Sequence, residues 1–353
     1  MRFGLLLLGE YLPERLKKLA QVAEAHDFEH LWVADEKFFR DPYASLAYLS
    51  QHTSRIHLGP CVTDPFTRHP AITAMAMATL DEIAGGRGVL GIGAGFSGLE
   101  ALGIQRQKIV LALREAIQLI RQLWSGGAVD YEGETVSFHS AELNFPARPD
   151  IPILVASAGP QILRLAGEMA DAVMLGDLAS PVAIGKSLAF VAEGAARLGR
   201  SAQDVYRITR LNLILSDDLE AACNLMRPWI TGDLWHTYPR WDTMPTYQPD
   251  WEVKLQPLCE FIEHYGGKPR NVDDFKLVTE FNPLITTEMV REKALVGSVD
   301  QVVTQLQEIA GTGIQEVALY PLPLDGQDVE FVLDTFFKQV MPRFMNASHV
   351  REV

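Results

Sequence analysis

Apolar and polar positions along the chain follow two alternating patterns. Short runs rich in Val, Ile and Leu occur at residues 3–8, 28–34, 56–62, 88–92, 151–156, 172–175, 208–215 and 317–320. Longer stretches with helical spacing separate them, which is how a parallel sheet reads when helices cover its outer face. Among the intervening stripes, Ile109, Leu113, Ile117, Ile120 and Trp124 share one helical face, as do Val302, Leu306 and Ile309. Both stripes are core-facing surfaces and carry no chemistry of their own. Helix starts are marked by Asp41-Pro42, His69-Pro70 and Ser180-Pro181, where Pro at the first helical position sacrifices no hydrogen bond. Ser97-x-x-Glu100 and Ser298-x-x-Gln301 read as capping boxes.

Eight strand–helix repeats predict an α/β fold, a closed (β/α)8 TIM barrel rather than an open doubly wound sheet with its five or six strands. Two stretches break the rhythm, at about 125–150 and 216–295. The first holds Val129 to Phe138, whose alternation around Glu132-Gly133 predicts a surface hairpin. The second is too long for an ordinary connection. Setting both aside leaves roughly 248 residues, the size of one unadorned barrel, so residues 1–353 are expected to form a single domain with two insertions. The long insertion holds Trp229, Trp235, Trp241, Trp251, Tyr238 and Tyr247. Two readings stand open for them: packing of the insertion onto the barrel, or an aromatic lid over a flat ligand.

Composition narrows the function. A net charge of −14 over 353 residues opposes a phosphate backbone, so no nucleic-acid partner is expected. The three cysteines, Cys61, Cys223 and Cys259, are far apart and form no C-x-x-C pair, which fits a reducing, cytoplasmic setting. The apolar start, Phe3 to Gly9, runs straight into Glu10, Pro13, Glu14 and Arg15 without a small-residue cleavage site, so it reads as a buried strand. No run reaches the ~18 apolar residues of a transmembrane helix, and no membrane association is expected. His26 and His30 lack a third ligand at metal spacing, so no metal is expected either.

In a barrel, chemistry sits where the strands end. After the second run comes Asp35-Glu36-Lys37, two acids and a base, which act either as loop caps or as proton donors and acceptors. After the third, Gly59-Pro60-Cys61-Val62-Thr63-Asp64-Pro65-Phe66-Thr67-Arg68-His69-Pro70 is a path stiffened by prolines. Cys61 has no base near it in sequence, which argues against a nucleophile. After the fourth, Gly93-Ala94-Gly95-Phe96-Ser97-Gly98 formally matches the dinucleotide fingerprint, but at the wrong place in the chain; its small residues admit close approach to the backbone. After the fifth, Ser157-Ala158-Gly159-Pro160 opens a helix with Arg164 one turn in, which reads as a phosphate cradle or as a plain strand-to-helix turn.

Taken in order, these segments resemble the luciferase-like superfamily over nearly the full length. The resemblance is carried also by Thr79 to Arg87 leading into Gly91-Ile92-Gly93-Ala94-Gly95, by Tyr131-Glu132-Gly133 and by Val296-Gly297-Ser298-Val299-Asp300-Gln301-Val302. Val62 to Pro70 and the Gly159-Pro160 turn look most like the branch of methylenetetrahydromethanopterin reductases and deazaflavin-dependent dehydrogenases. The resemblance implies a barrel that binds the deazaflavin coenzyme F-420 or FMN at its C-terminal face and moves a hydride to or from a small organic substrate. It also implies a non-proline cis peptide at Cys61-Val62 beneath the ring, Ala94, Gly95 and Phe96 along the ring or its side chain, and Ser157, Ala158, Gly159, Pro160 and Arg164 at the phosphate. A homodimer is implied too, with a separate flavin reductase as partner if the cofactor is FMN. Two departures stand out: Glu36 where sugar-oxidising relatives often have His, and Phe96 where several have an acid. Their acid–base pair is missing, so their sugar substrate is not carried over and Glu36 remains the candidate for proton transfer. An FMN-dependent monooxygenase and a flavin-binding protein without turnover are the alternatives.

Overall fold

A computed structural model describes residues 1–95, 98–267 and 272–350. Strands β1 (Arg2–Leu7), β2 (His30–Val33), β3 (His57–Pro60) and β4 (Leu90–Gly93) alternate with helices α1 (Pro13–Ala25), α2 (Pro42–Ser50) and α3 (Pro70–Ile83). After α4 (Ile109–Trp124) come the hairpin strands β5 (Val129–Glu132) and β6 (Ser137–Ala141), then β7 (Ile153–Ser157), α5 (Pro160–Met169), β8 (Ala172–Gly176), α6 (Pro181–Arg197) and β9 (Tyr206–Leu215). The insertion starts with α7 (Leu219–Thr237) and continues through α8 (Trp251–Lys254), α9 (Gln256–Tyr265) and α10 (Thr287–Arg291) to β10 (Ala294–Gly297). Helix α11 (Val299–Ala310) and β11 (Glu316–Pro321) lead back to the barrel.

All barrel pairings are parallel, in the order β3-β2-β1-β11-β9-β8-β7-β4. The ends of this path meet across a seam. Leu58 N–H donates to Arg87 O and Val89 N–H to Leu58 O, both at 2.9 Å. Further up, Thr63 N–H donates to Gly91 O at 3.0 Å and Gly93 N–H to Thr63 O at 2.9 Å. The seam closes the cylinder and yields an eight-stranded (β/α)8 barrel, as the strand count predicted. Pairing is interrupted where Pro60 offers no N–H, and there the two backbones press together: a Cβ on Gly91 would run into the Pro60 carbonyl oxygen.

One strand escaped the sequence reading. Ala294–Gly297 pairs with Asn212–Leu215 of β9, beyond the point where β8 stops pairing at Arg210. The insertion assigned to 216–295 therefore ends in a strand that prolongs the sheet upward. Four apolar residues at the edge of a long irregular stretch carry too little periodicity to announce a strand.

The helices bury the stripes that the spacing marks. Leu113, Ile117, Ile120 and Trp124 of α4 and Val302, Leu306 and Ile309 of α11 are all buried against the barrel. The buried Trp124 indole donates to Ala74 O at 3.0 Å, so its polar atom is matched. Ser298 and Gln301 form the reciprocal capping box, whereas Ser97 lies outside the described residues. The hairpin forms as predicted, with Tyr131 opposite Phe138. Trp235, Trp241 and Trp251 are buried with Ile214, Ala294 and Val296 in a second core that seats the insertion on the barrel. Trp229 is 48% exposed. Three of the four tryptophans are thus packing groups and not an aromatic lid, because the insertion needs an apolar face of its own to dock.

Candidate active site

The C-terminal strand ends converge on one cavity of about 420 Å³, within the range of small-molecule sites. Ala34, Asp35, Glu36 and Lys37 follow β2, Cys61 and Val62 follow β3, Ala94 and Gly95 follow β4, Ser157 ends β7 and Ala158 follows it. The structure therefore brings together Glu36, Cys61, Val62, Ala94, Gly95, Ser157 and Ala158 from four separate segments. Gly95 has φ +61°, and a Cβ there would press on the Asp64 carboxyl group; glycine meets both demands at once. The Cys61-Val62 peptide is cis. Phe96 lies outside the described residues.

The other residues expected at the phosphate lie in the turn after β7 and on α5. Gly159 caps α5 and donates its N–H to Ser157 Oγ at 2.9 Å, and it and Pro160 follow directly on the wall residues Ser157 and Ala158. Arg164 sits on the face of α5 that packs against α6, where Nε donates to Glu193 Oε2 at 2.7 Å and the guanidinium stacks 4.5 Å from the centre of the Phe190 ring. It does not reach the cavity: one helical turn beyond Pro160, its position faces the neighbouring helix. What the turn does offer is a start of α5 with no side-chain cap, close to Ser157 and Ala158 on the wall.

The wall below Glu36 is a fixed charge network. Asp64 is fully buried; its Oδ1 accepts from the N–H groups of Phe66 at 2.9 Å and Thr67 at 2.7 Å. Its Oδ2 accepts from the Thr67 hydroxyl at 2.8 Å and lies 3.0 Å from Lys37 Nζ. Burial alone would raise the Asp64 carboxyl, but Lys37 and the Thr67 donors outweigh it and hold it below its ordinary value. Lys37 Nζ also donates to Asp35 O at 2.9 Å, and Arg68 Nε binds Asp35 Oδ2 at 3.1 Å while its other arm binds Asp41. Burial pushes the Cys61 thiol up to about 12, with Met174 Sδ 3.5 Å from its sulfur, so Cys61 is a neutral wall residue and no nucleophile. Burial, with Glu10 adding to it and Glu36 contributing less, pushes the Tyr320 hydroxyl up to about 12. Tyr320 thus remains protonated near the two carboxylates.

Arg106, Asp233 and His236 also line the cavity, and the sequence reading missed all three. Arg106 donates to Gly95 O at 2.6 Å from the stretch before α4. Asp233 and His236 stand three residues apart on α7 and face the cavity together. That i, i+3 pair of polar residues inside an otherwise apolar turn, Leu234-Trp235, was the available signal.

The sequence profile of the luciferase-like monooxygenase family matches residues 1–316. A 5,10-methylenetetrahydromethanopterin reductase of Archaeoglobus fulgidus is 29% identical over 351 residues, covering 97% of this chain and 99% of that one. An F420-dependent glucose-6-phosphate dehydrogenase of Nocardia farcinica is 26% identical, covering 95% of each chain. The solved coenzyme F420 dependent tetrahydromethanopterin reductase from Methanopyrus kandleri superposes with a TM-score of 0.78 at 26% identity, over 97% of this chain and 99% of that one.

Proposed function

Since the chain belongs to the luciferase-like monooxygenase family, we propose that this oxidoreductase uses the deazaflavin coenzyme F-420 to exchange a hydride with a small organic substrate at the strand-end cavity. The observation that carries the reading is one cavity, built from the same four strand ends that the sequence marks, within a fold that matches an F420-dependent reductase over nearly all of both chains.

The residues present fit such a cofactor. Cys61, Val62, Ala94, Gly95, Ala156 and Ala158 are small or short side chains that let a planar ring system lie against backbone. The uncapped start of α5 offers N–H groups and a partial positive charge for an anionic tail. Ser157 and Ala158 would hold that tail, and Val62, Ala94 and Gly95 would flank the ring. Bound F-420 supplies the hydride chemistry at its ring.

The chain's own residues orient, exclude water and handle the proton. Glu36 holds a proton at a carboxyl oxygen, donating or accepting it as the substrate is reduced or oxidised. Lys37, clamped between Asp35 and Asp64, fixes the loop from which Glu36 projects. Asp233 and His236 bring helix α7 to the cavity wall, where it would help to keep bulk water off the reacting atoms. Relatives of both reductase and dehydrogenase type support a reaction of this class, and Glu36 in place of His favours a reductase-like substrate over a sugar.

Absorbance and fluorescence titration of the purified protein with F-420 and with FMN tests the reading. Saturable binding of F-420 at micromolar concentration, with FMN bound at least about tenfold more weakly, a difference of 1.4 kcal/mol, is the expected result. Tight FMN binding with no response to F-420 would refute it.

A further inference from the structure

Helix α7 brings Asp233 to the cavity, and a second residue far along the chain holds it there. Lys293, between α10 and β10, is 8% exposed, and its Nζ lies 2.7 Å from Asp233 Oδ2. The Asp233 side chain, in contrast, is 45% exposed, and it lines the cavity. Burial alone would drive the Lys293 ammonium towards its neutral form, but Asp233 outweighs burial and keeps it charged. A surface ion pair leaves both partners in water and contributes little. Here the cation is withdrawn into the protein and the carboxylate alone is presented, so the pair aims an acceptor.

The cavity's cations are partly engaged on its own wall. Arg106 donates to Gly95 O, and Lys37 is held by Asp35 and Asp64. Asp233 Oδ2 is taken by Lys293, while its Oδ1 receives no hydrogen bond among the described residues. A carboxylate in that state accepts a further hydrogen bond.

We infer that Asp233 is a substrate-recognition residue that accepts a hydrogen bond from an N–H donor of the substrate, and that Lys293 is its positioning residue. The inference rests on the deazaflavin reading above and adds to it the polarity of the substrate face that meets α7: a neutral or cationic nitrogen-bearing group with an N–H donor. Asp233→Asn reverses that polarity. With Lys293 taking the amide oxygen, the NH2 group is left towards the cavity, donor against donor.

The experiment compares wild type, Asp233→Asn, Lys293→Met, Lys293→Arg and the Asp233→Asn/Lys293→Met double variant. F-420 affinity is read by fluorescence, folding by melting temperature, and steady-state rates with F-420 and two probes. Methylenetetrahydromethanopterin, whose pterin ring carries N–H donors, is one probe, and glucose 6-phosphate, an anion without them, is the other. Asp233→Asn is expected to raise KM for the pterin probe at least about tenfold while kcat stays within about threefold and F-420 affinity is unchanged. Lys293→Met is expected to shift KM in the same direction and to add nothing in the double variant, since it acts through Asp233; Lys293→Arg should restore KM. If Lys293→Met does not fold, the Asp233→Asn split decides by itself. F-420 binding by wild type with an unchanged pterin KM in Asp233→Asn, or with glucose 6-phosphate as the preferred probe, would overturn this inference and leave the cofactor reading standing. Failure of wild type to bind F-420 at all would overturn both.

Discussion

At the C-terminal mouth of the barrel, Asp64 is buried with every lone pair engaged: two N–H groups on one oxygen, a hydroxyl and an ammonium on the other. At the N-terminal floor, Glu316 is equally buried, but its Oε2 pairs with His30 Nδ1 at 2.7 Å and the Tyr206 hydroxyl at 3.2 Å while its Oε1 has no partner among the described residues. Gly4 makes room for that second oxygen, since a Cβ there would run into it. Both ends therefore bury an acid, yet at the mouth the Lys37 ammonium contacts it and a cavity opens beside the same lysine. The difference separates two uses of buried charge. At the mouth, a saturated network immobilises the loop that carries Glu36; at the floor, a half-satisfied carboxylate plugs the cylinder between β1, β2, β9 and β11.

The largest effect expected from breaking the contrast is on chemistry. Glu36→Gln should lower single-turnover reduction by about 10²–10⁴-fold, the usual contribution of a positioned proton-transfer group, with an unchanged melting temperature. Retained turnover would remove Glu36 from the mechanism.

The amide substitutions come next, because they test the same chemical change at both ends. Asp64→Asn places an NH2 group against Lys37 and the Thr67 hydroxyl and should cost about 3–5 kcal/mol in urea unfolding, as expected when one partner of a buried ion pair is lost. A smaller acid-side effect follows from the same residue. Its folded carboxyl lies below the ordinary unfolded value of about 3.9, so its contribution to stability is fully present above that value. It is lost as pH falls through the lower, folded one. Unfolding curves measured from pH 6 downward should steepen near that acid limb in wild type and flatten in Asp64→Asn. The smallest effect belongs to the floor. Glu316→Gln can keep its oxygen towards His30 and Tyr206 and turn its NH2 to the unpartnered side, so it should change stability by less than about 1 kcal/mol and leave F-420 affinity untouched. A cost equal to that of Asp64→Asn would erase the distinction between the two ends.

Much of this architecture was legible in the chain. The eight apolar runs and the residues that follow them located the barrel and most of its cavity wall, because a barrel places every strand end at one face. The capping box at Ser298 and the hairpin around Glu132-Gly133 were readable for local reasons, since their hydrogen bonds close within a few residues. The rest depends on tertiary packing. Nothing local distinguishes an Arg164 that turns to Glu193 from one that faces the cavity, because which side of α5 meets α6 is set by packing between distant segments. Asp233 and Lys293 meet across sixty residues of insertion, and the burial that gives the pair its meaning is set by the second core of Trp235, Trp241 and Trp251. The same core explains why the aromatic content of the insertion left packing and a lid both open: aromatics serve docking and ligand contact alike until the fold chooses.

Hydrogen–deuterium exchange with and without F-420 tests the central claim most directly, because it reports where the ligand sits without relying on turnover. The account predicts added protection in segments 61–64, 93–95 and 157–162 at the mouth, and none in segments 28–31 and 314–317 at the floor. Protection confined to the floor or to the outer face of the insertion, with the mouth unchanged at saturating F-420, would contradict it.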